Sequence, residues 1–367
     1  MTTIFFASNR NIRHRSSSKG DLFGDRFNAD GPQIFRVGEA EVTLTGPDPK
    51  EDDSWQVGAS TLYDEQLRET AKTPAKLGSA ALFEKLRRIL KEEERDVLIY
   101  IHGFANSFEN SLRRAAALQE LYSTARQKVQ VVLFSWPSNG TVQPAWHYFS
   151  DRDDAAASGI AMARALQRLV EFLTEMRLDD RQTILDARKL GAVPDPDDLR
   201  QCTRRLHLVA HSMGNWALRH ALQRFVAENG GRLPRIFDCV FLMAADEDHD
   251  ALADAMKLGP LDALANRVMV YHAADDVALA VSDTTKGMAD RLGTDGPQNL
   301  DRLSARILAI DCGLISKTAL SHGRHQYYRL RDEVIGDVQM SLAAVPQDGR
   351  PGRSPIQPGR SWRLLAG

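Results

Sequence analysis

Apolar positions recur along the middle of this chain in a regular way. Continuous apolar runs of strand length occur at Asp96–Ile101, Val129–Ser135, Arg205–His211, Ile236–Ala245, Asn266–Ala273 and Ala305–Cys312. Runs of this kind are typical of strands that are buried on both faces of a parallel sheet. Amphipathic stretches of helical period lie between them, most clearly over 107–127 and 153–176. This alternation predicts an α/β fold with a doubly wound, mostly parallel sheet.

Three segments lie outside this alternation. Residues 1–60 contain two strand-like pieces, TIFFAS and AEVTLT, which predict an N-terminal strand extension at one edge of the sheet. Residues 178–203 are highly charged and contain PDPDD, so we expect a surface insertion that borders the mouth of the site as a lid. Residues 344–367 form a tail rich in Pro, Gly and Arg, which predicts a loop. We therefore expect one domain over 1–343.

The composition restricts the classes of protein to consider. The chain has 367 residues, of which 43% are hydrophobic and 26% are charged, enough for a large globular core. The net charge of -2 gives no sign of a nucleic-acid partner. The three cysteines have no paired spacing, and no apolar run approaches the ~20 residues that span a bilayer. We expect a cytoplasmic protein without an integral membrane segment; its oligomeric state is not indicated.

A serine stands between an apolar run and a helical pattern in LHLVAHSMGNWAL. This residue is Ser212, and the small residues Ala210 and Gly214 stand two positions before and after it. A nucleophile elbow needs this spacing, because the chain turns sharply from strand to helix and larger side chains would clash. The N-terminus of the following helix would also favour a developing oxyanion. The alternative is a serine that caps the helix after an ordinary strand.

A second motif, IHGFAN, follows the first of the apolar runs. In an α/β-hydrolase, the loop at this position supplies one backbone donor to the oxyanion hole. The donors would be the N–H groups of Phe104 and Met213, and Gly103 would let the backbone approach the reacting group. We expect His102 to brace this loop through a ring hydrogen bond.

A nucleophilic serine needs a histidine base and a carboxylate to orient it. In this fold the acid follows a late strand, where Asp275 and Asp276 stand. The histidine follows the last strand, where the chain offers His322 and His325. Asp246, in the run DEDHD, is an alternative acid, a member of a metal cluster, or a carboxylate that caps a helix.

Two aromatic residues lie near the predicted functional edge of the sheet. Trp136 follows a strand in SWPSNG, and Tyr148 lies in the next loop. Either residue would line the substrate pocket or pack beneath it. We take both as candidate substrate-binding residues.

Several of these motifs together resemble a known family. IYIHGFANSFENSL, VLFSWPSNG, LHLVAHSMGNWAL, FLMAADEDHD, VYHAADDVALAVS and GRHQYY occur in this order, and the resemblance runs from Ile4 to about Leu342. They are similar to a bacterial α/β-hydrolase family of poorly defined function that is related to serine esterases and lipases. The resemblance implies an α/β-hydrolase fold and a serine hydrolase. It also selects Asp276, which stands before Val-Ala-Leu, and His325, which stands before Gln-Tyr-Tyr.

The leading hypothesis is a serine hydrolase that cleaves a carboxylic ester through an acyl-enzyme. Ser212 would be the nucleophile, His325 the base and Asp276 the orienting acid, with no metal or organic cofactor. The substrate would be a small-molecule or lipid-like ester. An amidase or thioesterase with the same triad is an alternative, and so is a catalytically silent binding protein on the same fold.

Overall fold

The computed structural model describes residues 1–65, 77–141, 146–189, 204–279, 290–316 and 324–367. Over these residues the strands are β1 (Thr2–Ser8), β2 (Arg10–Ile12), β3 (Ser16–Ser17), β4 (Phe23–Phe27), β5 (Arg36–Leu44), β6 (Trp55–Leu62), β7 (Asp96–Ile101), β8 (Val129–Ser135), β9 (Leu206–His211), β10 (Phe237–Met243), β11 (Ala265–His272), β12 (Ile307–Asp311), β13 (Arg353–Gln357) and β14 (Ser361–Leu364). The α-helices are α1 (Gly78–Lys91), α2 (Phe108–Tyr122), α3 (Trp146–Lys189), α4 (Gly214–Glu228), α5 (Leu261–Leu264), α6 (Leu292–Asp295), α7 (Gly313–Ser316), α8 (Tyr327–Leu330) and α9 (Asp332–Leu342).

A large central sheet organises the fold. Its strand order is β13-β14-β12-β11-β10-β9-β7-β8-β1-β5-β6-β3, and neighbours from β14 to β1 pair in parallel. The six apolar runs of the sequence correspond to β7–β12, so the predicted α/β fold is confirmed. The apolar core forms two layers, one on each face of the sheet. The carboxyl ends of the parallel strands meet at one edge, where α/β folds usually carry their sites.

The N-terminal residues extend the sheet as expected. Strand β1 pairs in parallel with β8 and antiparallel with β5, and the pairs β5–β6 and β6–β3 are antiparallel. The side chains of Ile4 and Phe6 are fully buried on one face of β1. This extension also brings residues 50–54 towards helix α2 and the loop after β12, as the contacts of Asp52 show below.

The segment 178–203, expected to be a surface insertion at the mouth of the site, begins inside helix α3. Residues 178–189 are the last part of α3, and the helical rise puts their start about 48 Å from the beginning of that helix. Just before them, Leu173 and Met176 line a cavity with Leu206, at the amino end of β9. Because Ser212 follows the carboxyl end of β9, residues 178–189 lie at the opposite edge of the sheet. Residues 190–203 are outside the described residues.

The C-terminal tail corrects a second expectation. Residues 353–364 form an antiparallel hairpin of β13 and β14, and β14 continues the central sheet beside β12. Pro358 and Gly359 lie at its turn, Pro355 lies within the edge strand β13, and Trp362 and Leu364 are buried. Composition predicted a loop here because the frequency of residue types contains no information on their order, and the two buried side chains alternate along the strand. None of the described helices is long and apolar enough to cross a membrane.

Candidate active site

Ser212 lies at a sharp turn between β9 and α4. Its φ angle is 53°, in the left-handed region that costs energy for a residue with a side chain. A Cβ on Gly214 would come within 2.7 Å of the carbonyl oxygens of His102 and Ile101, so only glycine fits there. A Cβ on Gly103 would lie 2.8 Å from the Cβ of Ser212. The turn therefore depends on close approach of two backbone segments around the serine.

His325 and Asp276 are in direct contact. The Nδ1 atom of His325 lies 2.7 Å from Oδ2 of Asp276. Because a carboxylate only accepts, Nδ1 carries the proton and Nε2 is left as an acceptor. The other oxygen of Asp276 accepts the backbone N–H of Leu279 at 3.1 Å, which fixes the carboxylate. Both side chains are almost completely buried.

The neighbouring aspartate points elsewhere. Asp275 accepts hydrogen bonds from Arg324, at 3.0 Å, and from the hydroxyl of Ser316. Its carboxylate is therefore occupied by a cation and a hydroxyl. The other candidate base, His322, lies outside the described residues.

His211, directly before Ser212, connects the elbow to the histidine loop. Its Nε2 donates to the carbonyl oxygen of His325 at 3.2 Å, and the two ring centroids are 4.7 Å apart. Burial lowers the pKa of His211 well below its usual value, with a further contribution from His325, so the ring stays neutral. This contact places the loop of His325 beside the end of β9.

The backbone after β7 has a fixed orientation. The carbonyl oxygen of Gly103 accepts two hydrogen bonds, from His102 Nδ1 at 2.9 Å and from Asn106 Nδ2 at 3.0 Å. In a trans peptide the following N–H, that of Phe104, points away from this carbonyl. Within the described part of the chain, the N–H groups of Phe104 and Met213 meet no acceptor. Two donors next to Ser212 are thus available to a ligand.

Trp136 supports this loop from below. Its side chain is fully buried, its indole N–H donates to the carbonyl oxygen of His102 at 2.8 Å, and its ring stacks on that of His102. This corrects the expectation that Trp136 contacts substrate, since no part of the side chain is accessible. His102 itself donates to Gly103, and burial lowers its pKa well below the usual range. It braces the loop, as the sequence predicted.

Sequence reasoning missed a buried arginine below the same loop. Arg10 donates to Ser135 Oγ at 3.0 Å and to the carbonyl oxygens of Ser138 and Asn106 at 3.1 and 2.7 Å. Burial lowers its pKa to about 9, although Asp151 acts in the opposite direction. Arg10 thus joins the loops after β7 and β8. The motif FFASNR contains it, but nothing in the sequence indicates that its side chain turns inward.

Tyr148 lies in the first turn of α3 rather than in a loop, and it contacts the loop after β7. Its ring packs edge-on against Phe104, with centroids 5.8 Å apart, and its hydroxyl donates to Asp246 at 2.7 Å. Tyr148 is only partly buried, so it remains a candidate to contact substrate. Asp246 is also bound by Arg291 at 2.5 Å and faces Arg152 at 3.6 Å.

The acidic run that includes Asp246 is irregular: Asp248 forms an isolated antiparallel bridge with Arg291, and turns follow it. No helix begins there in the described chain, which corrects the expectation of a helix cap. Its carboxylates instead form ion pairs, such as that of Glu247 with Arg219 at 3.1 Å. Burial raises the pKa of Glu247 to about 7, against the effect of Arg219.

One group of metal-ligand atoms occurs among the described residues, away from the site. His207, Asp238 and Cys239 lie near the amino ends of β9 and β10, with their ligand atoms within 4.8 Å of one another. The carboxylate of Asp238 is already bound by Arg267 at 3.1 Å. Burial raises the pKa of the Cys239 thiol to about 12. The guanidinium and the protonated thiol make this group a poor fit for a metal ion.

Comparisons with known proteins point to a family. A family model described as an alpha/beta hydrolase of unknown function (DUF900) matches residues 79–179 and 198–339. The crystal structure of the gene lin2722 products from Listeria innocua is similar at 11% identity, covering 74% of this chain and 98% of that chain with a TM-score of 0.31. No curated protein matches the chain.

Proposed function

Because the chain belongs to an α/β-hydrolase family of unknown function, we propose that it is a serine hydrolase that cleaves carboxylic esters. One observation carries this proposal: a buried histidine bound at 2.7 Å to a buried aspartate, in the loops next to a serine with a φ angle of 53°. An ordinary helix-capping serine needs neither the strained backbone nor the paired histidine. These three residues have the roles that a nucleophile, base and orienting acid require.

The steps follow from the chemistry of the three side chains. Ser212 attacks the ester carbonyl while His325 accepts its proton, which gives a tetrahedral intermediate. His325 returns this proton to the departing alkoxide, and an acyl-enzyme and an alcohol result. Water then attacks the acyl group with His325 as base, and the carboxylic acid leaves Ser212. Asp276 keeps the imidazole in the required tautomer and stabilises it when it is charged.

The N–H groups of Phe104 and Met213 stabilise the oxyanion in both tetrahedral intermediates. Each donor of this kind lowers the activation free energy by about 3 kcal/mol. Tyr148 packs its ring against Phe104, the residue that carries one of these donors, and this aromatic surface would suit a small-molecule or lipid-like acyl group.

Two measurements test the proposal. A fluorophosphonate probe should label the wild-type protein once per chain, and p-nitrophenyl esters of increasing chain length should be hydrolysed. Ser212→Ala should remove both activities, with a loss of about 10⁶ in kcat. Ser304→Ala, at a half-buried serine that precedes the amino end of β12, serves as the matched serine control. A protein that is neither labelled nor active would be a binding protein on a hydrolase fold. Thioesters and amides with the same acyl group then identify the preferred bond.

A further inference from the structure

A carboxylate from the N-terminal extension lies between two arginines beneath the site. Asp52 is in a 3-10 helix, Asp52–Ser54, between β5 and β6. Its Oδ2 accepts from Arg114 Nη2 at 3.0 Å and Nε at 3.2 Å. Its Oδ1 lies 3.3 Å from Nη1 of Arg329, whose side chain is fully buried. One carboxylate thus serves two guanidinium groups from different parts of the chain.

The first arginine leads to the loop after β7. Arg114, on α2, donates through Nη1 to Oδ1 of Asn106 at 2.5 Å. The amide nitrogen of Asn106 donates in turn to the carbonyl oxygens of Gly103 and Phe104, at 3.0 and 2.9 Å. Because Arg114 holds the amide oxygen, it also determines which end of the Asn106 amide faces the backbone. The orientation of the Phe104 N–H therefore depends on Arg114.

The second arginine leads to the loop of His325. Arg329 lies on α8, four residues after His325, and donates through Nε to Oε1 of Gln326 at 3.1 Å. It also donates to the carbonyl oxygen of Lys50. The short segment that carries His325 is therefore attached to the same part of the N-terminal extension that holds the loop after β7.

The charges make this arrangement dependent on Asp52. Two buried or nearly buried guanidinium groups lie close together, and each would lack its main counter-ion without this carboxylate. Asp52 holds the pKa of Arg114 above its usual value even though burial acts to lower it. An unpaired buried cation is costly, so the side chains would have to move towards water. Such a movement would loosen both loops together.

We propose that Asp52 is a positioning residue that couples the oxyanion loop to the histidine loop. This inference rests on the proposed hydrolase function. Among the described residues, the carboxylate of Asp52 contacts the two arginines and none of the proposed reacting groups. It acts through Arg114 and Arg329 on the positions of the Phe104 N–H and of His325. A displacement of about 1 Å at either group is enough to reduce turnover about 100-fold.

Three variants of the full-length protein test this role. Asp52→Asn keeps the shape and removes the charge, Asp52→Glu keeps the charge, and Asp53→Asn changes the exposed neighbour as a matched control. Hydrogen–deuterium exchange would be measured in peptides that cover 102–107 and 324–330. Turnover would be measured per serine labelled by the fluorophosphonate, so that unfolded protein does not count.

We expect faster exchange in both peptides of Asp52→Asn, with kcat reduced about 100-fold and KM changed by no more than about twofold. Asp52→Glu should have exchange rates and a kcat between those of this variant and of the wild type. Asp53→Asn should have the exchange rates and the kcat of the wild type. If Asp52→Asn does not fold, Asp52→Glu decides, with faster exchange in both peptides and a loss of about tenfold in kcat.

Other outcomes overturn the inference in distinguishable ways. Exchange that increases in one peptide only, or in neither, contradicts the coupling. Faster exchange in both peptides with an unchanged kcat per labelled serine reduces Asp52 to a structural residue. A wild type that is neither labelled nor active contradicts the proposed function itself, and the positioning role with it, whatever the exchange shows.

Discussion

Asp276 accepts a 2.7 Å hydrogen bond from Nδ1 of His325 in an almost water-free environment. The carboxylate of Asp275, one residue earlier, instead pairs with Arg324 at 3.0 Å. The side chains of adjacent residues in a turn project in different directions. Here the carboxylate of Asp276 contacts the imidazole, whereas that of Asp275 neutralises an arginine. A charged imidazole would be stabilised by Asp276 most strongly where water is excluded.

Asp276→Asn should reduce kcat by about 10⁴, because an amide in place of the carboxylate favours the wrong tautomer of His325. Asp275→Asn is the matched control, with the same change in charge one residue away. Kinetics of p-nitrophenyl ester hydrolysis would give both values. His325→Ala should reduce kcat more strongly than Asp276→Asn does, by about 10⁶ relative to the wild type. His322→Ala should have little effect on kcat. A strong loss in Asp275→Asn beside an active Asp276→Asn would assign the acid to the other residue.

The sequence was most informative about the groups whose spacing is set by the backbone. The turn around Ser212 requires small residues at fixed positions, and the order of serine, acid and histidine follows from the order of the strands. It was less informative about side chains that meet across the fold. Whether Trp136 faces a pocket or the core, and whether Asp52 faces Arg114, depends on packing between segments far apart in the chain.

The two aromatic candidates should behave differently on substitution. Trp136→Phe removes the hydrogen bond to the carbonyl oxygen of His102, so kcat should fall while the preference for acyl chain length stays the same. Tyr148→Ala removes a partly exposed ring beside Phe104, so the preference itself should change. A series of p-nitrophenyl esters measures both effects through kcat/KM. A changed chain-length preference in Trp136→Phe would show that this residue contacts substrate after all.

Glu247 should make the stability of the protein depend on pH. Burial raises its pKa from 4.5 to about 7 in the folded state. Between these values the folded protein holds a proton that the unfolded chain releases, so this residue lowers stability as pH rises through that window. Glu247→Gln removes the effect, and the stability of the variant relative to wild type should therefore increase from pH 4.5 to 7 by about 3 kcal/mol.

Urea unfolding of both proteins at several pH values between 4.5 and 8 measures this difference. Other titrating groups, including the buried His102 and His211, contribute to both curves and cancel in the comparison. Parallel curves for the variant and the wild type would mean that Glu247 keeps an ordinary pKa.

The C-terminal tail shows why composition was a poor guide at that end of the chain. Pro, Gly and Arg are frequent there, and such residues are common in loops. In the structure the arginines are used inside the fold, since Arg353 binds both carboxylate oxygens of Asp337, at 2.5 and 2.6 Å, and lies over the ring of Trp362. A strand as short as β14 has too few apolar positions to show a period.

Trp362 should therefore be essential to a segment that the sequence predicted as a loop. Its side chain is 2% exposed, and its strand pairs with β12 at Ile310. Trp362→Ala should lower the free energy of unfolding by about 3–5 kcal/mol, whereas Ile356→Ala, at an exposed position of β13, should change it by no more than about 0.5 kcal/mol.

Deletion of 344–367 should also uncover the edge of β12 and promote aggregation, because an unpaired strand edge is a template for association. Chemical denaturation and size-exclusion chromatography would test both effects, and a deletion variant that keeps the elution volume and the stability of the wild type would show that β14 is dispensable.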